Sequence, residues 1–209
     1  MKSKTITIDP DAVDANGIYT TAVVAGAGAL TFDGALVTDS VAYMDYARRI
    51  GILSSGDDTG ITFTIVGTDA DGRAISEVVT GGNGATAESV LYFKTVTSIT
   101  ASGAAAANVT IGTVDEFVSN TIPLNHYEAN APTVSIEGIS GTIDLSVQQT
   151  FSILQQTDTA FVFFAGHANL TTITADAAAD LSNHITGLRL VCNSYTDGAE
   201  LRMVIHQNG

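Results

Sequence analysis

The most constraining stretch of this chain is Ile61-Thr62-Phe63-Thr64-Ile65-Val66-Gly67-Thr68, where apolar and polar residues alternate from Ile61 to Ile65. Successive side chains of a strand point to opposite faces, so Ile61, Phe63 and Ile65 share one face and Thr62 and Thr64 the other. Asp69-Ala70-Asp71-Gly72 follows as a turn, with Gly supplying a positive φ, and the chain resumes as Arg73–Thr80. The spacing predicts a β-hairpin. The same idiom recurs near Arg48–Ser54, Leu91–Thr100, Val109–Gly112, Thr133–Ile139, Thr142–Val147, Thr159–Phe164, Leu170–Thr174, Gly187–Cys192 and Glu200–His206. Turn signals every 8–12 residues or so predict an all-β chain, an antiparallel β-sandwich of jelly-roll type with very little helix. A short helix is expected only at the start of Asp39–Ile50, with Asp39 or Ser40 as N-cap, giving way to a strand from about Tyr46, while Ala175–Leu181 reads as a brief helix or a loop.

Pro123 and Pro132 bracket a polar stretch, Asn125–Asn130, and suit a linker near residues 119–133. Two consecutive β modules are expected, 1–120 with an N-terminal tethering arm and 121–209. Aromatic side chains such as Tyr43, Tyr46, Phe93, Phe151 and Phe163 stand in alternating runs and are expected in the core. The single cysteine, Cys192, lies in the apolar run Leu188–Cys192 and reads as a buried thiol.

Charge narrows the function. Eight Lys and Arg face 22 Asp and Glu, a formal net charge of −14. No cation surplus exists to neutralise phosphates or an anionic bilayer, which argues against nucleic-acid and membrane partners. Between Thr95 and Leu188 there is no Lys or Arg at all, while eight acids fall in that span. Stability there must come from apolar packing and backbone ladders, and the surface must be neutral to acidic. Such surfaces suit subunits packed against neighbours. The N-terminal residues alternate and form no apolar signal core.

No motif for chemistry stands out. Gly138-Ile139-Ser140-Gly141 is one residue short of a hydrolase elbow. Gly26-Ala27-Gly28 opens like a dinucleotide loop, but Thr31 takes the place of the third glycine. His126, His167, His184 and His206 have no metal-ligand spacing, and the aspartates of Asp57-Asp58 and Asp69-Ala70-Asp71 read as turn formers rather than a cation loop. No catalytic residue, metal ligand or cofactor is assigned, and the chain is expected not to be an enzyme. The residues singled out for a partner interface are Lys2 and Lys4, the one locally basic segment, and the adjacent pair Arg48 and Arg49. In a strand that pair projects to opposite faces, so at most one reaches a given surface; a local ion pair with Asp45 or Asp57 is the competing use.

Several stretches resemble virion structural proteins of tailed bacteriophages: Ala25–Gly34, Ala47–Ile50, Phe63–Gly72, Tyr92–Gly103, Gly187–Val191 with Asn193-Ser194-Tyr195, and Ile205-His206-Gln207. The resemblance lies in this β-repeat idiom. It implies a non-enzymatic structural component made in the host cytoplasm and carried on the virion. Within that class a decoration or cement protein on the outer surface of the head is favoured. Its partner would be the major capsid protein, and a homo-oligomer, with a trimer favoured, suits a three-fold lattice position. A tail or head–tail component, or a carbohydrate-binding adhesion module, are the alternatives.

Overall fold

The computed structural model describes residues 2–125, 131–152, 163–182 and 184–207. Among them every regular element is a strand, and the strand pairings are antiparallel. The chain divides into two compact units, residues 13–117 and residues 118–209 together with 1–12.

In the first unit, Thr62–Thr68 and Ala74–Thr80 form the expected hairpin, in register from Thr62↔Thr80 to Thr68↔Ala74. Asp69 makes the turn with its own carboxylate, which accepts the N–H groups of Asp71 and Arg73 at 2.9 and 2.8 Å. Phe93–Ala101 pairs with Thr62–Thr68 on one side and Val41–Ser54 on the other. Phe63, Ile65, Phe93, Val96, Ile99, Ile50 and Ile52 are fully buried and form one core with Ile111. Burying each such side chain contributes roughly 1.5–3 kcal/mol.

Gly67 sits where the register between Thr62–Thr68 and Phe93–Ala101 shifts by one residue. A Cβ there would land on the Thr95 carbonyl. Only glycine allows the two backbones to approach so closely.

Neither expected helix forms. Val41–Ser54 is a continuous strand of 14 residues. Asp39 and Ser40 both take positive φ, 51° and 66°, and turn the two-residue strand Val37–Thr38 back onto Val41 and Ala42. Asp and Ser are good caps, but the β-branched and aromatic residues that follow favour a strand, so the same two residues make a hairpin turn instead. Ala177–Asp180, the other helical candidate, pairs with Thr133–Ile136 as a strand. Local alanine propensity yields there to the ladder. Leu170–Thr174 is no strand: Ile173 makes an isolated bridge to Leu145. The Thr159–Phe164 expectation lies largely outside the described residues.

In the second unit, one sheet runs in the order Lys2–Ile8, Glu200–Gln207, Thr133–Ser140, Ala177–Asp180. Its inward residues include Ile8, Val134, Ile136, Leu201, Met203 and Ile205, all buried. A second run of strands pairs Ala165–Gly166, Ile143–Thr150 and Gly187–Tyr195, with the two-residue strand Ile122–Pro123 on the far side. It buries Leu145, Val147, Leu188 and Leu190, and also the free thiol of Cys192. Two faces buried at alternate residues are the pattern of a β-sandwich.

Lys2–Ile8 is thus no free arm. It pairs residue by residue with Glu200–Gln207, from Lys2↔Gln207 to Ile8↔Leu201. The pairing buries Ile8 beside Leu201 and half-buries Ile6 beside Met203, and the backbone ladder adds to what holds the segment.

Candidate interaction surface

Arg48 and Arg49, adjacent on Val41–Ser54, have opposite fates. Arg48 is 1% exposed. Its Nε and Nη2 donate to the two carboxylate oxygens of Asp45 at 2.7 and 2.8 Å, a bidentate pair. In a regular strand, residues three apart face opposite ways. Here the pairing with Phe93–Ala101 breaks register between Tyr43 and Arg48, and the irregularity turns Asp45 toward the arginine. Arg48 is therefore a buried structural cation and not a surface contact. Lys94 donates to the Asp45 carbonyl beside it. Burial pushes the Lys94 ammonium below its usual pKa, against the opposing pull of Asp45, with Arg48 adding to the depression.

Arg49 is partly exposed and held by three groups. Its Nη1 meets Glu116 at 2.6 Å, its Nη2 meets Glu88 at 3.2 Å, and its Nε donates to the Ser89 carbonyl. The Tyr92 hydroxyl donates to the other oxygen of Glu116 at 3.4 Å. The Glu116 hydrogen bond, opposed by partial burial and aided by the charges of Glu116 and Glu88, raises the guanidinium above its ordinary pKa. Arg49 thus ties three strands, Val41–Ser54, Thr86–Glu88 and Asn108–Val118, on their outer side.

Next to this network lies a groove of about 320 Å³. Gly51 is its floor: a Cβ there would meet Val114 Cγ1 at 3.0 Å and Thr86 Cγ2 at 3.2 Å. Leu53, Val13 and Val114 supply apolar wall, and Asp115 and Glu88, the latter paired with Arg49, share the lining. Apolar walls with carboxylates suit the methylene stem and charged head of a lysine or arginine. Sequence reasoning missed this groove because it depends on the missing side chain of Gly51 and on four segments distant in sequence.

The other singled-out residues are placed apart from it. Lys4 is exposed, opposite the buried Ile205 at the open edge of its sheet, and Lys2 pairs with Gln207. The Gly26-Ala27-Gly28 loop opens no helix; Gly28–Ala29 pairs with Ala101 and Thr100 as a short strand. Asp57 accepts from the Thr59 N–H and hydroxyl, as a turn former does. Asp58 is buried, its Oδ1 accepting the Ala106 N–H at 2.7 Å. His167 is buried with its Nε2 3.1 Å from the Asp180 carbonyl, His206 Nδ1 lies 2.8 Å from the Ser3 hydroxyl, and His126 falls outside the described residues. Among the described residues, no three His, Cys, Asp or Glu are grouped to hold a metal ion, and no helix is long and apolar enough to cross a membrane. Of the aromatic residues expected in the core, Phe93 is buried and Tyr46 stacks on Phe117 with ring centroids 4.7 Å apart. Tyr43, Phe151 and Phe163 are instead more than half exposed.

Comparison with known proteins finds no matching family model and no matching curated protein. Among solved structures, the chain has a likeness to allantoicase from Saccharomyces cerevisiae, with 8% identity and a TM-score of 0.22 over 96% of this chain and 93% of that one. A second likeness is to the major capsid protein P2 of bacteriophage PM2, with 10% identity and a TM-score of 0.21 over 97% of this chain and 96% of that one. At these TM-scores neither is a shared fold.

Proposed function

We propose that this chain is a non-enzymatic structural subunit of a tailed-phage virion, a decoration protein that binds the outer surface of the head and holds neighbouring major capsid proteins together. The observation that carries the reading is how the charge is spent. Arg48, Arg49 and Arg73 all pair with acids of their own unit. The acids are in large excess, and the Gly51 groove is lined beside its apolar walls by Asp115 and by Glu88, the latter shared with Arg49. A surface of that kind seats a basic, aliphatic side chain of a neighbour, and repeated over many copies such contacts add through avidity.

The test is co-sedimentation of the purified chain with tail-less, decoration-free heads. Saturation at a fixed ratio to the major capsid protein, weakened by added salt and by Glu88→Gln with Asp115→Asn, is the expected result. Recovery of the protein only from tailed particles would overturn the head reading in favour of a tail or head–tail component. Binding of the isolated chain to host cells or surface polysaccharide would favour an adhesion module.

A further inference from the structure

The hairpin 62–80 ends its sheet: Ala74–Thr80 pairs with Thr62–Thr68 on one side and with no strand on the other among the described residues. The direction of its backbone groups follows from the bonds that flank the ladder. Asp69 N–H donates to the Arg73 carbonyl at 2.8 Å, and Gly81 N–H to the Ile61 carbonyl at 3.0 Å. Hydrogen-bonded pairs alternate along an antiparallel ladder. Between those ends, then, the bonded pairs are Gly67 with Ile75, Ile65 with Glu77 and Phe63 with Val79. Ala74, Ser76, Val78 and Thr80 direct their N–H and C=O groups outward, and all four are exposed.

Other edges of this molecule are blunted in the ways natural sheets use. Lys2–Ile8 carries two lysines, and Ala177–Asp180 is only four residues long and ends in an aspartate. On Tyr19–Val23, the Thr20 N–H is taken by Asp33 at 2.7 Å. Ala74–Thr80 has seven residues with no Lys, Arg or Pro. Its one charge, Glu77, is turned to its own chain, where the two carboxylate oxygens accept the N–H groups of Val90 and Leu91, each at 2.8 Å.

We propose that Ala74–Thr80 is a dimerisation seam, taking the same strand of a second copy antiparallel about a two-fold axis at Val78. The backbone fixes the parity, since outward groups on even-numbered residues can meet only even-numbered residues. Full overlap of the two strands would centre on Glu77 and set the two glutamates directly opposite each other, a destabilising pair. A shift by one residue of the axis puts Val78 against Val78 and Ser76 against Thr80, and leaves Glu77 across from Val79. Val78 is 61% exposed, so it gains most from cover. A second copy fits this edge because the edge presents hydroxyls, a valine and no charge, and so matches itself. Two chains of −14 still repel at long range, and that repulsion is screened over about 8 Å at physiological salt. Pairing therefore tightens as salt is added, the opposite of an electrostatic contact to a basic partner. The inference stands on the ladder alone and does not depend on the head reading.

Sedimentation velocity on the full chain tests it. The wild type should show a monomer–dimer equilibrium that shifts toward dimer with salt. Val78→Pro removes only an outward N–H, and Val78→Lys installs an edge cation; each should raise the dimer Kd on the order of tenfold or more while circular dichroism stays unchanged. Val78→Lys decides if the proline variant misfolds. Val78→Cys should oxidise to a covalent dimer, because residues of a bonded pair lie about 5.5 Å apart at Cα, whereas Ser76→Cys should not; Cys192, buried, stays out of the reaction. A wild type that remains monomeric, a trimer or any oligomer that persists in Val78→Lys, or cross-linking of Ser76→Cys as fast as Val78→Cys would each overturn the proposal. Heads that still bind the Val78→Lys monomer would leave the head reading standing, so the two fail separately.

Discussion

At the scale of single residues, Arg48 and Asp45 set the sharpest expectation. Asp45→Ala leaves a guanidinium buried at 1% exposure without its bidentate partner. Breaking a buried pair from one side costs about 3–5 kcal/mol, read as a lower midpoint in urea. Replacing both residues with apolar ones of similar volume should cost far less. Gly67→Ala drives a Cβ into the Thr95 carbonyl and should cost roughly 1–3 kcal/mol. Lys94 gives a pH signature. Its folded pKa is depressed, so between the folded value and the ordinary 10.5 the unfolded chain binds the extra proton, and stability rises with pH across that window. Urea titrations approaching pH 10 should show the rise, and Lys94→Met should flatten it. The alternation of a strand foretold that Arg48 and Arg49 would part ways. Nearness in sequence offered Asp45 or Asp57 as a local partner, and Arg48 takes Asp45, through a break in register that no residue period encodes.

Among the elements, the hairpin 62–80 was legible because the alternation of Ile61–Ile65 ran into a turn with Asp and Gly, and a run containing Ile75, Val78 and Val79 followed it. Asp39–Ser40 shows the opposite case. Caps and turns draw on the same small polar side chains, so a cap signal has meaning only beside the run that follows it. The positive φ values there also carry a cost, since non-glycine residues in that region are strained by about 1 kcal/mol or more. Ser40→Gly should therefore raise stability by up to about 1 kcal/mol, measured as a higher thermal midpoint. Of the candidate groove, the sequence held the residue types but not their meeting: Gly51, Thr86 and Val114 come from three separate strands, and only the pairing brings them to one place.

For the molecule as a whole, the division into units differs from a simple cut near residue 120, because residues 1–12 belong with 118–209. Alternation in Lys2–Ile8 marked it as a strand, but which strand it joins is a non-local fact. Deleting residues 1–8 should expose the flank of Leu201, Met203 and Ile205 and lower the unfolding midpoint of that unit, whereas clipping a free arm would leave it unchanged. Limited proteolysis with mass mapping separates the two outcomes. That same pairing dictates an order of events during synthesis. The residues of unit 13–117 emerge from the ribosome as one uninterrupted block and can close their core while translation continues. Lys2–Ile8, made before that block, has to wait for Glu200–Gln207, made after it, and until then its isoleucines stay in water or in the keeping of a chaperone.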